Sequence, residues 1–111
     1  MSKVTLALYE AGWVSLPPDH ALFTLQAPLY LCRHPEHHFV VATQSYLDGL
    51  LARLETLEKP VRQVIRRLIL GSVAEIELKG NRFFLPGPYQ QRIGERDHLL
   101  AVSHEDHIEF S

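Results

Sequence analysis

Ala11-Gly-Trp-Val-Ser-Leu-Pro17 and Gly80-Asn-Arg-Phe-Phe-Leu-Pro86 are the stretches whose comparison decides the fold of this chain. Each combines a glycine turn signal, a short apolar run and a Leu-Pro stop. Pro17 and Pro86 are 69 residues apart, and the same offset carries Val4 onto Val73, Leu31 onto Leu100, Glu36 onto Glu105 and His38 onto His107. It also aligns Phe39-Val-Val41 with Ile108-Glu-Phe110. One ungapped offset therefore relates residues 4–42 to residues 73–111, which reads as an internal duplication.

Working outward, both copies share one grammar. Val4–Leu8 and Ala74–Leu78 alternate like half-buried strands. A short strand follows each glycine turn and ends at Pro17 or Pro86, and a helical turn is expected after each proline. Two further strands complete each copy: Leu29–Arg33 with Phe39–Ala42, and His98–Val102 with Ile108–Phe110. Their connections, His34-Pro-Glu-His37 and Ser103-His-Glu-Asp106, are polar and of hairpin length.

A helical hairpin is expected between the copies. Ser45 reads as its N-cap with Asp48 three residues on, and Tyr46, Leu47, Leu50, Leu51, Leu54 and Leu57 form one apolar stripe. Lys59-Pro60 breaks that helix and starts the next, in which Val61, Val64, Ile65, Leu68 and Ile69 form a second stripe before Gly71. The expected fold is α+β: a first β-rich repeat (residues 1–42), a helical hairpin linker (43–72) and a second β-rich repeat (73–111), related by pseudo-symmetry within one compact domain.

Composition narrows the classes. With 111 residues, 46% hydrophobic and 22% charged, the chain is neither disordered nor a long coiled coil. At this length about two-thirds of the unfolded surface is buried on folding, so assembly with further copies is a natural source of stability. A net charge of -2 removes the argument for nucleic-acid binding that a globally basic surface would give. The single cysteine, Cys32, has no partner for an internal disulfide and reads as a small buried hydrophobe. No signal peptide is visible and no apolar run approaches the roughly 18 residues of a membrane span, so a cytoplasmic protein is expected.

The layout resembles MraZ, the two-repeat family of AbrB-like swapped-hairpin DNA-binding proteins. Val61-Arg-Gln-Val-Ile-Arg-Arg-Leu-Ile-Leu-Gly-Ser-Val-Ala-Glu75 is similar to the family's second linker helix and its Leu-Gly exit. Gly80–Pro86 resembles its Gly-Arg-x-x-x-Pro segment with Asn81 in place of the glycine, and Ala11–Pro17 resembles Lys-Gly-Arg-Val-Ser-Leu-Pro. Tyr46 stands where an aromatic residue opens the first linker helix. The likeness spans nearly the whole chain, without the family's C-terminal helix after Ser111.

The resemblance implies two AbrB-like repeats and a bacterial transcriptional regulator of the division and cell-wall gene cluster. Such a regulator is a homo-oligomer on repeated operator sites in double-stranded DNA, cytoplasmic and nucleoid-associated. The family's contact motif, Asp-x-x-x-Arg, falls on Tyr9 and Trp13 in the first copy and on Leu78 and Arg82 in the second. The first copy thus lacks both charges and the second keeps its arginine. A one-residue gap would bring Lys79 to the acidic position.

The candidate DNA-binding residues are accordingly Lys79, Asn81 and Arg82 at the second turn, with Arg62, Arg66 and Arg67 on the second helix. A guanidinium on a rigid turn can grip phosphates or read guanine edges bidentately. The helix arginines read equally as a solvated face paired with Glu55 or Glu58. Arg92 and Arg96 are lesser candidates because Glu95 and Asp97 lie beside them. His34-x-x-His37-His38 and His104-x-x-His107 have metal-compatible spacing, yet their place in hairpin connections favours ordinary surface histidines, and no metal or other cofactor is expected.

No phosphate-binding glycine loop, Gly-x-Ser-x-Gly or nucleophile–base pair is present, so neither an enzyme nor a small-molecule substrate is expected. The alternative function is a diverged oligomeric scaffold or protein-interaction module that has lost DNA binding, with Trp13 and Tyr9 on its contact surface. A metal-responsive binding module is a third possibility, resting on the histidine pairs alone.

Overall fold

The computed structural model describes residues 3–17, 28–34 and 36–111. The elements are β1 (Lys3–Glu10), β2 (Trp13–Ser15), β3 (Leu29–His34), β4 (His37–Thr43), α1 (Gln44–Arg53), α2 (Lys59–Leu70), β5 (Ala74–Ile76), β6 (Arg82–Phe84), α3 (Gly87–Ile93), β7 (His98–Ser103) and β8 (His107–Phe110), with a 3₁₀ turn, Leu54–Thr56, after α1. The chain is α+β, as expected. The strands form one eight-stranded antiparallel sheet in the order β5-β3-β4-β8-β7-β1-β2-β6. Its two edge strands, β5 and β6, are consecutive in sequence, and a Lys79–Arg82 bridge closes the turn between them, so the sheet nearly closes on itself.

The side chains enclosed by this sheet make the main core. Phe39 stacks on Phe110 with ring centroids 4.7 Å apart and meets the ring of Phe83 edge-on at 6.4 Å. Leu16, Leu29, Leu31, Leu85, Leu99 and Ile108 fill the space around them, and α3 adds Tyr89 and Ile93. A second, smaller core lies where α1 and α2 cover β3 and β4, joining Cys32, Val40 and Ala42 to Tyr46, Leu47, Leu50, Leu54 and Ile69. Cys32 is fully buried there, and burial pushes its thiol up to about 11.

Several expectations are corrected. The N-cap of α1 is Thr43, whose hydroxyl accepts the Tyr46 N–H at 3.3 Å; Ser45 lies inside the helix, and Asp48 accepts a hydrogen bond from Gln44. The first helix yields to the 3₁₀ turn after Arg53, which leaves Leu57 exposed. On α2 only Ile69 is fully buried and Ile65 half-buried against the second core, while Val61 and Val64 face solvent. β5 stops at Ile76 rather than Leu78. The helical turn expected after Pro86 is α3; its counterpart after Pro17 lies outside the described residues.

The most consequential correction concerns β1. Its apolar set Val4, Leu6 and Leu8 points outward, at 61, 62 and 56% exposure, while Ala7 points into the core. The two-residue turn at Ala11-Gly12 fixes the register by pairing Tyr9 with Val14, and Val14 is fully buried. Tyr9 must then face inward, and the period of two sends residues 8, 6 and 4 to the other side. Alternation was legible in the sequence, but the turn decides which half of the alternation is covered.

Because Phe39 touches the aromatic rings of three separate elements, Phe39→Ala should cost about 3–5 kcal/mol, a large part of a small domain's stability. Urea denaturation measures it, and a loss below about 1 kcal/mol would contradict this packing.

Candidate nucleic-acid interface

Two tight turns flank the β2–β6 ladder, one at each of its ends. The first runs through Ala11 (φ 52°) and Gly12 (φ 87°) between the paired residues Glu10 and Trp13. Two consecutive positive φ angles are what a two-residue hairpin of type I′ requires. Gly12 is also fixed by space: a Cβ there would come within 2.7 Å of the Phe84 ring and 2.8 Å of the Gln90 amide. The second turn runs through Gly80 (φ 64°) and Asn81 between Lys79 and Arg82. β2 and β6 pair directly, Trp13 with Phe84 and Ser15 with Arg82, so the first turn's tryptophan and the second turn's cations share one surface.

On that surface the Arg82 guanidinium lies 4.5 Å from the Trp13 ring centroid, and the Lys79 ammonium 6.0 Å from it. Phe84 braces the indole from the side, edge-on at 5.2 Å. Each cation–π contact at an exposed site is worth about 0.5–1 kcal/mol, enough to bias the rotamers of two otherwise flexible side chains. Lys79 and Arg82 are both exposed, and among the described residues neither has a carboxylate within ion-pair distance. Asn81 acts on the backbone instead. Its side-chain amide donates to the Leu16 carbonyl at 2.6 Å, while the Leu16 N–H donates to the Asn81 carbonyl at 2.9 Å. That reciprocal pair ties the second turn to the end of β2.

The helix arginines are placed differently. Arg62 and Arg66 both reach Glu55, at 3.4 and 3.7 Å, so two of the three share one carboxylate of the preceding 3₁₀ turn. Arg67 is exposed and has no ion-pair partner among the described residues. The cluster is held by α2 against β3, a different set of elements from the Lys79–Arg82 turn. Of the lesser candidates, Arg96 donates to His38 Nε2 at 2.8 Å; burial, and then the charge of Arg96, lower the pKa of that imidazole.

Arg92 lines a cleft of about 510 Å³ together with Arg33, Ser72 and Tyr89. Sequence reading missed Arg33, whose Nε is buried with no hydrogen-bond partner among the described residues; its only signal was a charge at the end of an apolar strand. The histidine pairs are also not scattered surface residues. Both hairpin connections turn toward the carboxylate of Glu109, with His37 at 3.2 Å and His104 at 2.8 Å. Burial opposes ionisation of Glu109, but the hydrogen bond from His104 and the neighbouring imidazoles hold its pKa below the usual carboxylate value.

No protein-family model matches the chain, and no curated protein matches it at a significant level.

The stack of Arg82 on Trp13 should register as a coupling between the two. In a double-mutant cycle of Trp13→Ala and Arg82→Ala, a coupling of about 0.5–1 kcal/mol in unfolding free energy is expected. Strict additivity would show that the guanidinium is not held there.

Proposed function

We propose that this chain is a diverged MraZ-like transcriptional regulator, built of two AbrB-like repeats, that binds double-stranded DNA through the Lys79–Arg82 turn. The observation that carries the proposal is the pair of exposed, unneutralised cations that flank a rigid turn and are braced on Trp13. Arg82 supplies the bidentate donor that phosphates and guanine edges accept, and Lys79 adds a point charge beside it. The first turn contributes a platform instead of a charge. This division of labour fits a motif that lost its charges in one copy and kept an arginine in the other.

The layout of the sheet supports the two-repeat reading. Trp13–Ser15 and Arg82–Phe84 are offset by 69 residues, as are Leu29–His34 and His98–Ser103. Exchanging β1 with β5, β2 with β6, β3 with β7 and β4 with β8 reproduces every neighbour relation in the sheet but one: the β1–β2 ladder has no β5–β6 ladder to match it, only the isolated Lys79–Arg82 bridge.

One turn with two cations is a weak ligand for DNA, so the proposal includes a homo-oligomer that presents several turns to repeated operator sites. The outward stripe Val4, Leu6 and Leu8, continued by Leu100 on β7, supports such assembly by a second copy of this chain. Arg67, and more weakly Arg62 and Arg66, add secondary backbone contacts. A regulator of this kind acts in the cytoplasm on the nucleoid, on the operator of a division and cell-wall gene cluster. No helix among the described residues is long and apolar enough to cross a membrane.

Fluorescence anisotropy with duplex DNA from the gene's own upstream region tests this reading. Wild type should prefer that DNA to random duplex. Arg82→Ala should weaken binding by about tenfold, consistent with roughly 1–3 kcal/mol for a bidentate contact. Lys79→Ala should lower the slope of log affinity against log salt by about 1. Arg67→Ala should have a smaller effect than Arg82→Ala. An assembled protein with no preference for the upstream DNA at low salt would favour the scaffold alternative, in which the same apolar stripe serves a protein partner.

A further inference from the structure

Histidines of the two hairpins meet at one carboxylate. His37 stands at the start of β4, and His104 precedes β8, which carries His107 and Glu109. The antiparallel pairing of β4 with β8, Val40 opposite Glu109 and Ala42 opposite His107, sets His107 and Glu109 on one face of the sheet, between the two hairpin turns. Three imidazole Nε2 atoms then surround one carboxylate: His104 at 2.8 Å from Oε1, and His37 and His107 at 3.2 and 3.4 Å from Oε2. The His104, His107 and Glu109 ligand atoms all lie within 4.8 Å of one another.

The outer contacts hold these rings in a ligating orientation. Asp106 Oδ1 sits 2.8 Å from His107 Nδ1, and Ser111 Oγ lies 3.1 Å from His37 Nδ1. A metal-bound imidazole almost always has its second nitrogen occupied by such a carboxylate or hydroxyl partner, which leaves the Nε2 lone pair facing the ion. His107 is further clamped between Tyr46 and His104, with ring centroids 3.9 and 4.3 Å away, and is itself buried. A neutral imidazole has one N–H and one lone pair, yet both nitrogens of His107 face carboxylates. A doubly protonated ring donates to both, whereas a bound cation takes the Nε2 lone pair and leaves the Nδ1–H to Asp106.

We propose that His104, His107 and Glu109, with His37 as the fourth ligand, bind one divalent transition-metal ion of the zinc class. The donor set of imidazoles and a single carboxylate suits zinc and its neighbours better than calcium or magnesium, which require oxygen ligands. Zinc–nitrogen bonds of about 2.0–2.1 Å place tetrahedral ligand atoms about 3.3 Å apart, close to the separations from Glu109 already present. The ion would cross-link the β3–β4 and β7–β8 hairpin ends and, through the Tyr46 stack, the start of α1. The site is separate from the Lys79–Arg82 turn and does not depend on DNA binding.

The test is competition for Zn²⁺ between the untagged full chain and a chromophoric chelator at neutral pH, with Co²⁺ as spectroscopic substitute. One ion per chain is expected, with the intense visible bands of low-coordinate Co²⁺ and a higher melting temperature in the presence of zinc. His104→Ala and Glu109→Gln should abolish stoichiometric binding, Asp106→Asn should weaken it by about tenfold or more, and His34→Ala should leave it essentially unchanged. His104 is the variant of choice because its side chain is 31% exposed, whereas loss of His107 removes the Tyr46 stack; circular dichroism confirms that each variant folds. If a variant fails to fold, the wild-type Co²⁺ spectrum decides. Absent or octahedral bands overturn the proposal, as does the lack of one-to-one zinc binding. Binding that survives His104→Ala but is lost in His34→Ala also overturns it, by placing the ion on His34, Glu36 and His37.

Discussion

The pairing of β4 with β8 is the contact on which the rest of this structure depends. It joins two hairpins that are far apart in sequence, and it puts Phe39 opposite Phe110, whose stacked rings form the centre of the main core. With that seam in place, β3 and β7 flank it on either side, β1 and β5 add outside them, and β2 closes against β6. Each hairpin by itself would leave the apolar faces of Phe39, Val41, Ile108 and Phe110 in water. An isolated two-stranded hairpin is marginal, so neither half is expected to persist without the other. The seam itself gathers the histidines around Glu109, while at the sheet's edge the β2–β6 pairing delivers Trp13 beside Arg82.

Charge is distributed by the same logic. The chain carries a net -2, and part of its positive charge is engaged locally: Arg62 and Arg66 by Glu55, Arg96 by His38. Lys79 and Arg82 escape this because their nearest partner is an aromatic face, which attracts a cation without cancelling its charge. A nearly neutral protein can therefore present a small region of uncompensated positive potential. Its effect on a polyanion grows with the number of copies presented together, which links the proposed function to the exposed stripe on β1.

The sequence made the strand inventory legible because each strand is bounded by a turn or a proline with a physical reason to be there. Gly12 and Gly80 mark the two turns that need positive φ, Pro17 and Pro86 end β2 and β6, and the strands fall close to where the apolar alternation placed them. What failed was whatever depends on long-range register. The outward face of β1 follows from Val14 being buried, a fact of tertiary packing that no local pattern in Val4–Leu8 records. Thr43 outcompetes Ser45 as a cap because β4 runs straight into α1, leaving no loop between them. Arg82 could be singled out by the family motif it resembles, but its tryptophan support could not, since Trp13 is 69 residues away and read as a lost contact. Glu109 gave no signal at all: it is a single acid in an apolar strand until the seam places three imidazoles around it.

The most direct test of the central claim, that a nearly neutral fold binds DNA through one braced turn, is a backbone-amide NMR titration of the isotopically labelled chain with upstream duplex DNA. Salt-sensitive shifts should concentrate at residues 11–15 and 79–84, where the two turns and the β2–β6 pairing share a surface. Shifts confined to α2 or to the outer face of β1, or no shifts at low salt, would contradict it.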